Sequence, residues 1–215
     1  MIITKSKTRK EIMALLDGIN RIFIVGCGTC AEQCHTGGEK DVKKMRTWLT
    51  GQGKKITGSV VPDETCHIPL VKKDLRRCGK DLAGAEAVLI MACGAGTAAV
   101  REAVTLKVIS ANNTIALGDT LRKGKFSGRC SLCGDCILDR TAGFCPVTLC
   151  PKGLLNGPCG GMDKGKCEVD PDNDCVWARI YDAQAERDNL KIMKVINDPR
   201  DYCKTKRDEK VEVDR

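Results

Sequence analysis

Apolar positions recur along the first half of the chain with two alternating periods. Over residues 8–19, Ile12, Leu15, Leu16 and Ile19 fall on one helical face, and Thr8 with Glu11 forms a capping-box pair at its start. Ile22-Phe23-Ile24-Val25 follows as an unbroken apolar run, short enough and branched enough for a buried strand. Helical spacing returns over 38–50, with Val42, Met45, Trp48 and Leu49 inward, and a second strand is expected over Ile56 to Val61. The series continues with a helix over 69–77, a third strand over Ala87 to Met91, a helix over 98–104 capped by Thr97, and a fourth strand over Thr114 to Leu117. Strands alternating with helices at this spacing predict an α/β fold with an open parallel sheet, a flavodoxin-like half.

Past residue 118 the periodicity stops. Residues 119–173 carry no periodic element and are dense in Gly, Pro and Cys. Such a stretch lacks a core of its own, and bound metal can supply the missing staples. A helix resumes at Asp174 and runs to about residue 190, and the chain from Asn197 onward is highly charged. The pattern therefore predicts an α/β domain over 1–118, an irregular Cys-rich metal-binding domain over 119–196 ending in a helix, and a charged tail over 197–215. The tail either frays or docks on a partner, with the helix over 174–190 as the adjoining contact.

Composition sharpens this picture. The 215 residues include 15 Cys but only 2 His and 3% aromatic residues. Few aromatics argue against nucleic-acid binding by base stacking. The basic, amphipathic start lacks the apolar stretch of a secretory signal, and no apolar run approaches the ~18 residues of a membrane span. A cytoplasmic, reducing setting is expected, in which clustered cysteines serve as metal ligands rather than disulfides. Cys78 and Cys203 stand alone and read as free thiols. The formal charge of +8 softens once metal is counted. Each 4Fe–4S cluster on four thiolates lowers it by about 2. The remaining positive balance suits an acidic protein surface.

Two groups of cysteines carry the chemistry. The first is Cys27-x2-Cys30-x3-Cys34 with Cys66 and Cys93, all following expected strands at one edge of one sheet. In open α/β sheets that edge is where ligands bind. Glycines 26, 28, 94 and 96 are expected to let backbone approach a bulky cluster. Four thiolates suffice for one 4Fe–4S cluster, so one of the five is spare. A thioredoxin-like pair at Cys27 and Cys30 would leave the other three idle. Gly26-x-Gly28-x-x-Ala31 matches a dinucleotide fingerprint, but cysteines interrupt it and no acidic residue closes a second strand at the usual offset.

The second group is Cys130, Cys133, Cys136, Cys145, Cys150, Cys159, Cys167 and Cys175, eight cysteines within 46 residues. Cys130-x2-Cys133-x2-Cys136 resembles ferredoxin spacing, although Cys145-Pro146 comes later than in a ferredoxin. Eight thiolates can hold two clusters, or one cluster and one zinc, and any zinc here would be bound by cysteines alone. Two 4Fe–4S clusters in all, one per domain, are expected, with zinc possible in place of the C-terminal one. His35 and His67 each follow a cysteine; they either tune a cluster through N–H···S bonds or serve as ordinary loop residues.

The stretch Cys145-Pro146-Val147-Thr148-Leu149-Cys150-Pro151-Lys152-Gly153-Leu154-Leu155-Asn156-Gly157-Pro158-Cys159-Gly160-Gly161, followed by Gly165-Lys166-Cys167-Glu168-Val169 and Cys175-Val176-Trp177, resembles the methylenetetrahydrofolate reductase C-terminal domain family. The segments around Cys27 and Cys93 look like the rest of the same small protein, so the resemblance spans nearly the full length. It implies a flavin-containing TIM-barrel methylenetetrahydrofolate reductase subunit as partner. This chain would then carry clusters that relay electrons from an upstream electron-donor module to that flavin, in one-carbon metabolism of the reductive acetyl-CoA type. No catalytic residue is assigned, and the chain is too short to hold its own eight-stranded barrel beside these sites. The alternatives are a purely structural, metal-stapled subunit that shapes the partner's active site, and an autonomous corrinoid or thiol enzyme built on Cys27 and Cys30.

Overall fold

The computed structural model describes residues 1–205; the last ten residues of the expected tail lie outside the described residues. The chain divides into two compact units, Met1–Ser127 and Gly128–Arg215. The boundary expected at residue 118 falls within a long strand.

In the first unit the elements run β1 (Ile2–Ser6), α1 (Arg9–Leu15), β2 (Arg21–Val25), α2 (Cys30–Gln33), α3 (Glu39–Gly51), β3 (Lys55–Val60), α4 (Ile68–Arg77), α5 (Gly79–Ala83), β4 (Ala87–Ile90), α6 (Gly94–Ala103), β5 (Lys107–Ser110), β6 (Asn112–Arg122) and β7 (Lys125–Cys130), the last crossing into the second unit. Four strands form a parallel sheet in the order β3-β2-β4-β5. The chain moves outward from β2 to β3, then returns across β2 to β4. The order therefore reverses between β2 and β4, and such a switch point opens a crevice beyond the carboxyl ends of the strands.

Alternation along the two central strands divides the core. Phe23, Val25, Val88 and Ile90 face one side, where Val71 and Leu75 of α4 and Ala99 and Val100 of α6 cover them. Ile22, Ile24, Ala87 and Leu89 face the other, against Ile12 and Leu16 from the α1 region and Val42 and Leu49 of α3. Strands buried on both faces read as continuous apolar runs, which is why β2 and β4 stand out in the sequence. The Thr8–Glu11 capping box closes α1 as expected: Glu11 N donates to Thr8 Oγ1 (3.2 Å) and Thr8 N to the Glu11 carboxylate (2.7 Å).

The sheet edges depart from the sequence reading. The fourth parallel strand is β5, a short edge strand whose apolar signal is only Val108 and Ile109. The segment expected to fill that place, Thr114 to Leu117, lies in β6 of a second sheet ordered β1-β6-β7. There β1 pairs antiparallel with β6, Ile2 opposite Leu117 and Ser6 opposite Asn112. The N-terminus gave no strand signal, yet pairing with β6 makes Ile2–Ser6 a strand. Thr97 does not cap α6. The helix begins at Gly94 with Cys93 as its N-cap residue, and the Thr97 hydroxyl donates to Cys93 O (3.1 Å) inside the first turn.

The second unit holds two short helices, α7 (Pro146–Leu149) and α8 (Val176–Ala185), with 3₁₀ turns at Leu190–Lys194 and Tyr202–Thr205. Its core is small: Cys175, Val176, Trp177 and Ile180, with Phe144, Leu149, Met162 and Met193 packed around them. Polar ties do much of the rest. Trp177 Nε1 donates to Leu154 O (3.0 Å), and the buried Gln184 donates to Arg140 O (3.0 Å). The helix expected to reach residue 190 stops at Ala185, before Asp188 takes a positive φ of 52°. Asn197 is not frayed. Its main-chain N–H donates to Asn156 Oδ1 (2.7 Å) and its side-chain amide to Leu155 O (2.8 Å). Lys204 pairs with Asp135 (3.1 Å). The described start of the tail is thus bound to its own unit. No helix among the described residues is long and apolar enough to cross a membrane.

Candidate metal-binding sites

Three thiols meet at the carboxyl edge of the parallel sheet. Cys27 follows β2, Cys66 lies in the loop after β3, and Cys93 follows β4. They flank the point where the strand order reverses. Cys27 and Cys93 are buried, while Cys66 reaches solvent. Burial alone pushes the Cys27 thiol up. The Thr29 hydroxyl, 3.4 Å from its sulfur, and main-chain N–H groups of Thr65, Thr29 and Ala31 outweigh burial, so the net shift is below an ordinary thiol. N–H groups converging on sulfur favour the thiolate, the form that binds metal. At Cys66 the balance reverses: partial burial first, then the charges of Cys93 and Cys27, raise its thiol. The charges of Cys93 and Cys27 thus bear on Cys66, a repulsion that a cation at this edge would relieve.

The loops carrying these thiols are drawn together by backbone. A Cβ at Gly26 would run into Gly37 O, one at Gly37 into Met91 O, and one at Gly28 would press on Asp63 Cα at 3.3 Å. Gly26, Gly28 and Gly96 admit neighbouring protein, Gly96 lying against Ala92 and Thr65. Thr65, fully buried, donates from Oγ1 to Gly26 O (2.6 Å) and ties the Cys66 loop to the end of β2. Sequence reasoning passed over Thr65, although a hydroxyl beside a candidate ligand was the available signal.

Cys30 and Cys34 turn toward β1. Ile2 N–H donates to Cys30 Sγ (3.5 Å), Thr4 N–H donates to Cys34 Sγ (3.5 Å), and Cys34 Sγ lies 3.8 Å from Ile2 O. The five N-terminal cysteines therefore divide into a trio at the sheet edge and a pair against the strand that the sequence reading missed. The histidines have local structural work. His67 Nδ1 accepts from Leu70 N–H (3.4 Å) as the N-cap of α4, and His35, at a φ of 54°, turns the chain just after α2.

Of the eight closely spaced cysteines in the second unit, four gather around one cavity. Cys150, Cys159, Cys167 and Cys175 all line one small apolar cavity, with Met162 and Trp177 among its walls. Isolated bridges Asp163↔Lys166 and Lys166↔Asp174, with Cys175 N–H donating to Gly165 O (2.7 Å), fold Cys167 back toward Cys175. Glu168 joins this group: its carboxylate accepts from Cys159 Sγ (3.2 Å) and pairs with Lys152. The Lys152 bond, then that to Cys159, holds its carboxyl below the usual range. The other four are Cys130, Cys133, Cys136 and Cys145. Ser131 Oγ and Thr148 Oγ1 are 3.0 Å apart, and Thr148 Oγ1 donates to Cys145 Sγ (3.4 Å), which links the Cys130–Cys133 turn to Cys145. Within the turn, Leu132 and Gly134 take positive φ (55° and 75°), and Leu132 N–H donates to Cys130 Sγ (3.3 Å). Alternating left-handed residues point N–H groups inward, as loops around anionic sulfur require. Among the described residues, no group of three or more Cys, His, Asp or Glu side chains is gathered closely enough to hold a single metal ion.

Comparison with known proteins locates the likeness in the second half. Residues 109–203 match the model of a family described as methylene-tetrahydrofolate reductase C terminal. The match runs from β5 through both quartets and leaves out the N-terminal cysteines. No curated protein and no solved structure matches the chain.

Proposed function

We propose that this chain is an iron–sulfur electron-transfer and scaffold subunit of a methylenetetrahydrofolate reductase complex, of the kind represented by MetV, the small subunit of the acetogen-type enzyme. The family match over 109–203 supports association with such a reductase. The observation that carries the iron–sulfur reading is the thiol trio: Cys27 favoured as thiolate, within electrostatic range of Cys66, which also senses Cys93, at the switch point of a parallel sheet. The donor set is soft sulfur throughout, which suits iron–sulfur clusters or zinc and not hard cations. Bound 4Fe–4S clusters supply one-electron transfer.

The residues have distinct duties in this reading. Cys27, Cys66 and Cys93, completed by Cys30 or Cys34, would hold the N-terminal cluster. Cys130, Cys133, Cys136 and Cys145 would hold a second, the first three at ferredoxin-like spacing and with an N–H donated to Cys130. Cys150, Cys159, Cys167 and Cys175 form a further closed set of four thiols that suits a cluster or zinc. The N–H groups around Cys27 and Cys130 stabilise sulfur charge and so tune the potential. The partner is a flavin-containing TIM-barrel subunit. A purely structural role is favoured by one observation, the walled, small cavity of the last quartet, since closed four-thiol sites are the usual form of structural zinc. Reduction of anaerobically purified protein separates the two. Reversible bleaching of visible absorbance, together with co-purification with the barrel subunit, is expected; a complex that forms but stays spectrally silent leaves only the scaffold.

A further inference from the structure

Lys152, Glu168 and Cys159 stand together at the cavity of the last quartet. Glu168 Oε2 accepts from Cys159 Sγ at 3.2 Å and pairs with the Lys152 ammonium. The ion pair with Lys152 places the carboxylate here. Its side chain lies across the backbone of Gly161, where a Cβ would collide with the carboxyl group. The Gly at 161 in Cys159-Gly160-Gly161 therefore makes room for Glu168. In the metal-free chain the arrangement is balanced, because the thiol donates to the carboxylate.

Metal binding removes that donor. A ligating cysteine loses its proton, and the Cys159 sulfur would then face a fixed carboxylate oxygen as one anion facing another. We propose that Lys152 is the positioning residue that makes this possible: its ammonium bridges the Glu168 carboxylate and the Cys159 thiolate and so keeps an acidic side chain compatible with metal on the last quartet. The proposal rests on the reading that Cys150, Cys159, Cys167 and Cys175 hold a metal. Lys152 and Glu168 are part-exposed, with side-chain exposures of 38% and 45%, so solvent tempers the repulsion. It does not abolish it, because the sulfur and the carboxylate oxygen lie 3.2 Å apart, well within the screening length.

The test uses the full chain purified anaerobically, as wild type and as Lys152→Met, Glu168→Gln, Lys152→Met/Glu168→Gln and Cys159→Ser. The metal that Cys159→Ser lacks defines the content of the last quartet, and its release to a chelator is timed in the others. Outer-shell partners of a metal ligand typically contribute about 10–100-fold to affinity. Lys152→Met should therefore release that metal on the order of ten times faster or more. Glu168→Gln should behave as wild type, and the double variant should return to within a few-fold of it, since no unbalanced carboxylate remains. Release from Lys152→Met at the wild-type rate overturns the proposal, and so does a double variant as labile as the single one, which would make Lys152 a packing residue. Wild-type protein carrying no more metal than Cys159→Ser overturns the metal reading itself, and the bridge with it.

Discussion

The two units solve the problem of staying folded by different means. Met1–Ser127 buries strands on both faces, with Phe23, Ile22, Ile24, Leu89 and Ile90 fully enclosed. Gly128 onward has a core of four buried residues, one of them a cysteine, and leans on single hydrogen bonds such as Trp177 to Leu154 and Gln184 to Arg140. The first unit has the means to fold before it meets metal. The second carries nine cysteines over a core too small to hold it, so its folding is expected to depend on metal.

The largest effect should come from stripping metal. Chelation under oxidising conditions, followed by limited proteolysis, is expected to open the chain throughout 130–175 while Met1–Ser127 stays protected. Equal protection of both halves would break the comparison. The converse test truncates the first core. Phe23→Ala should cost about 3–5 kcal/mol in denaturant unfolding of the first unit, with the metal content of the last two quartets unchanged. A loss of their metal in that variant would mean that the units fold as one.

Smaller changes sharpen the account of the thiol trio. Thr65→Val keeps the volume but removes the donor to Gly26 O, at an expected cost of about 1–3 kcal/mol and with less metal retained at Cys27, Cys66 and Cys93. A stable variant with wild-type iron would show that the clamp is dispensable. The smallest effect is electrostatic. Main-chain N–H groups of Arg21 and Asn20 donate to Glu86 and hold its carboxyl below the usual range. A depressed carboxyl contributes stability above its ordinary value and loses it as pH falls through the depressed one. Glu86→Gln should therefore flatten the acid limb of the first unit slightly and leave the second unit's pH dependence alone.

Much of this was legible in the sequence where burial is two-sided. The runs at β2 and β4 and the capping box at Thr8 announced themselves because packing and local hydrogen bonds are written in residue type. The order of cysteines after successive strands was legible too, since a parallel sheet puts every strand's carboxyl end on one edge. What escaped was pairing at long range. β1 is five residues long and pairs with β6, more than a hundred residues away in sequence, and no periodicity encodes such a partner. For that reason the turning of Cys30 and Cys34 toward Ile2 and Thr4 could not be foreseen. The gathering of Cys150, Cys159, Cys167 and Cys175 around one cavity was hidden likewise, because spacing counts ligands but does not group them. Residues 109–203 alone carry the family likeness, whereas the thiol trio rests on sheet topology.

The central claim is that these cysteines hold iron–sulfur clusters. Iron, acid-labile sulfide and zinc, measured per chain on full-length protein purified without oxygen, test it most directly. The account predicts iron and sulfide in equal amounts, about eight of each for two 4Fe–4S clusters, with any zinc confined to the last quartet and absent from Cys159→Ser. Folded protein with no iron and no sulfide would contradict it.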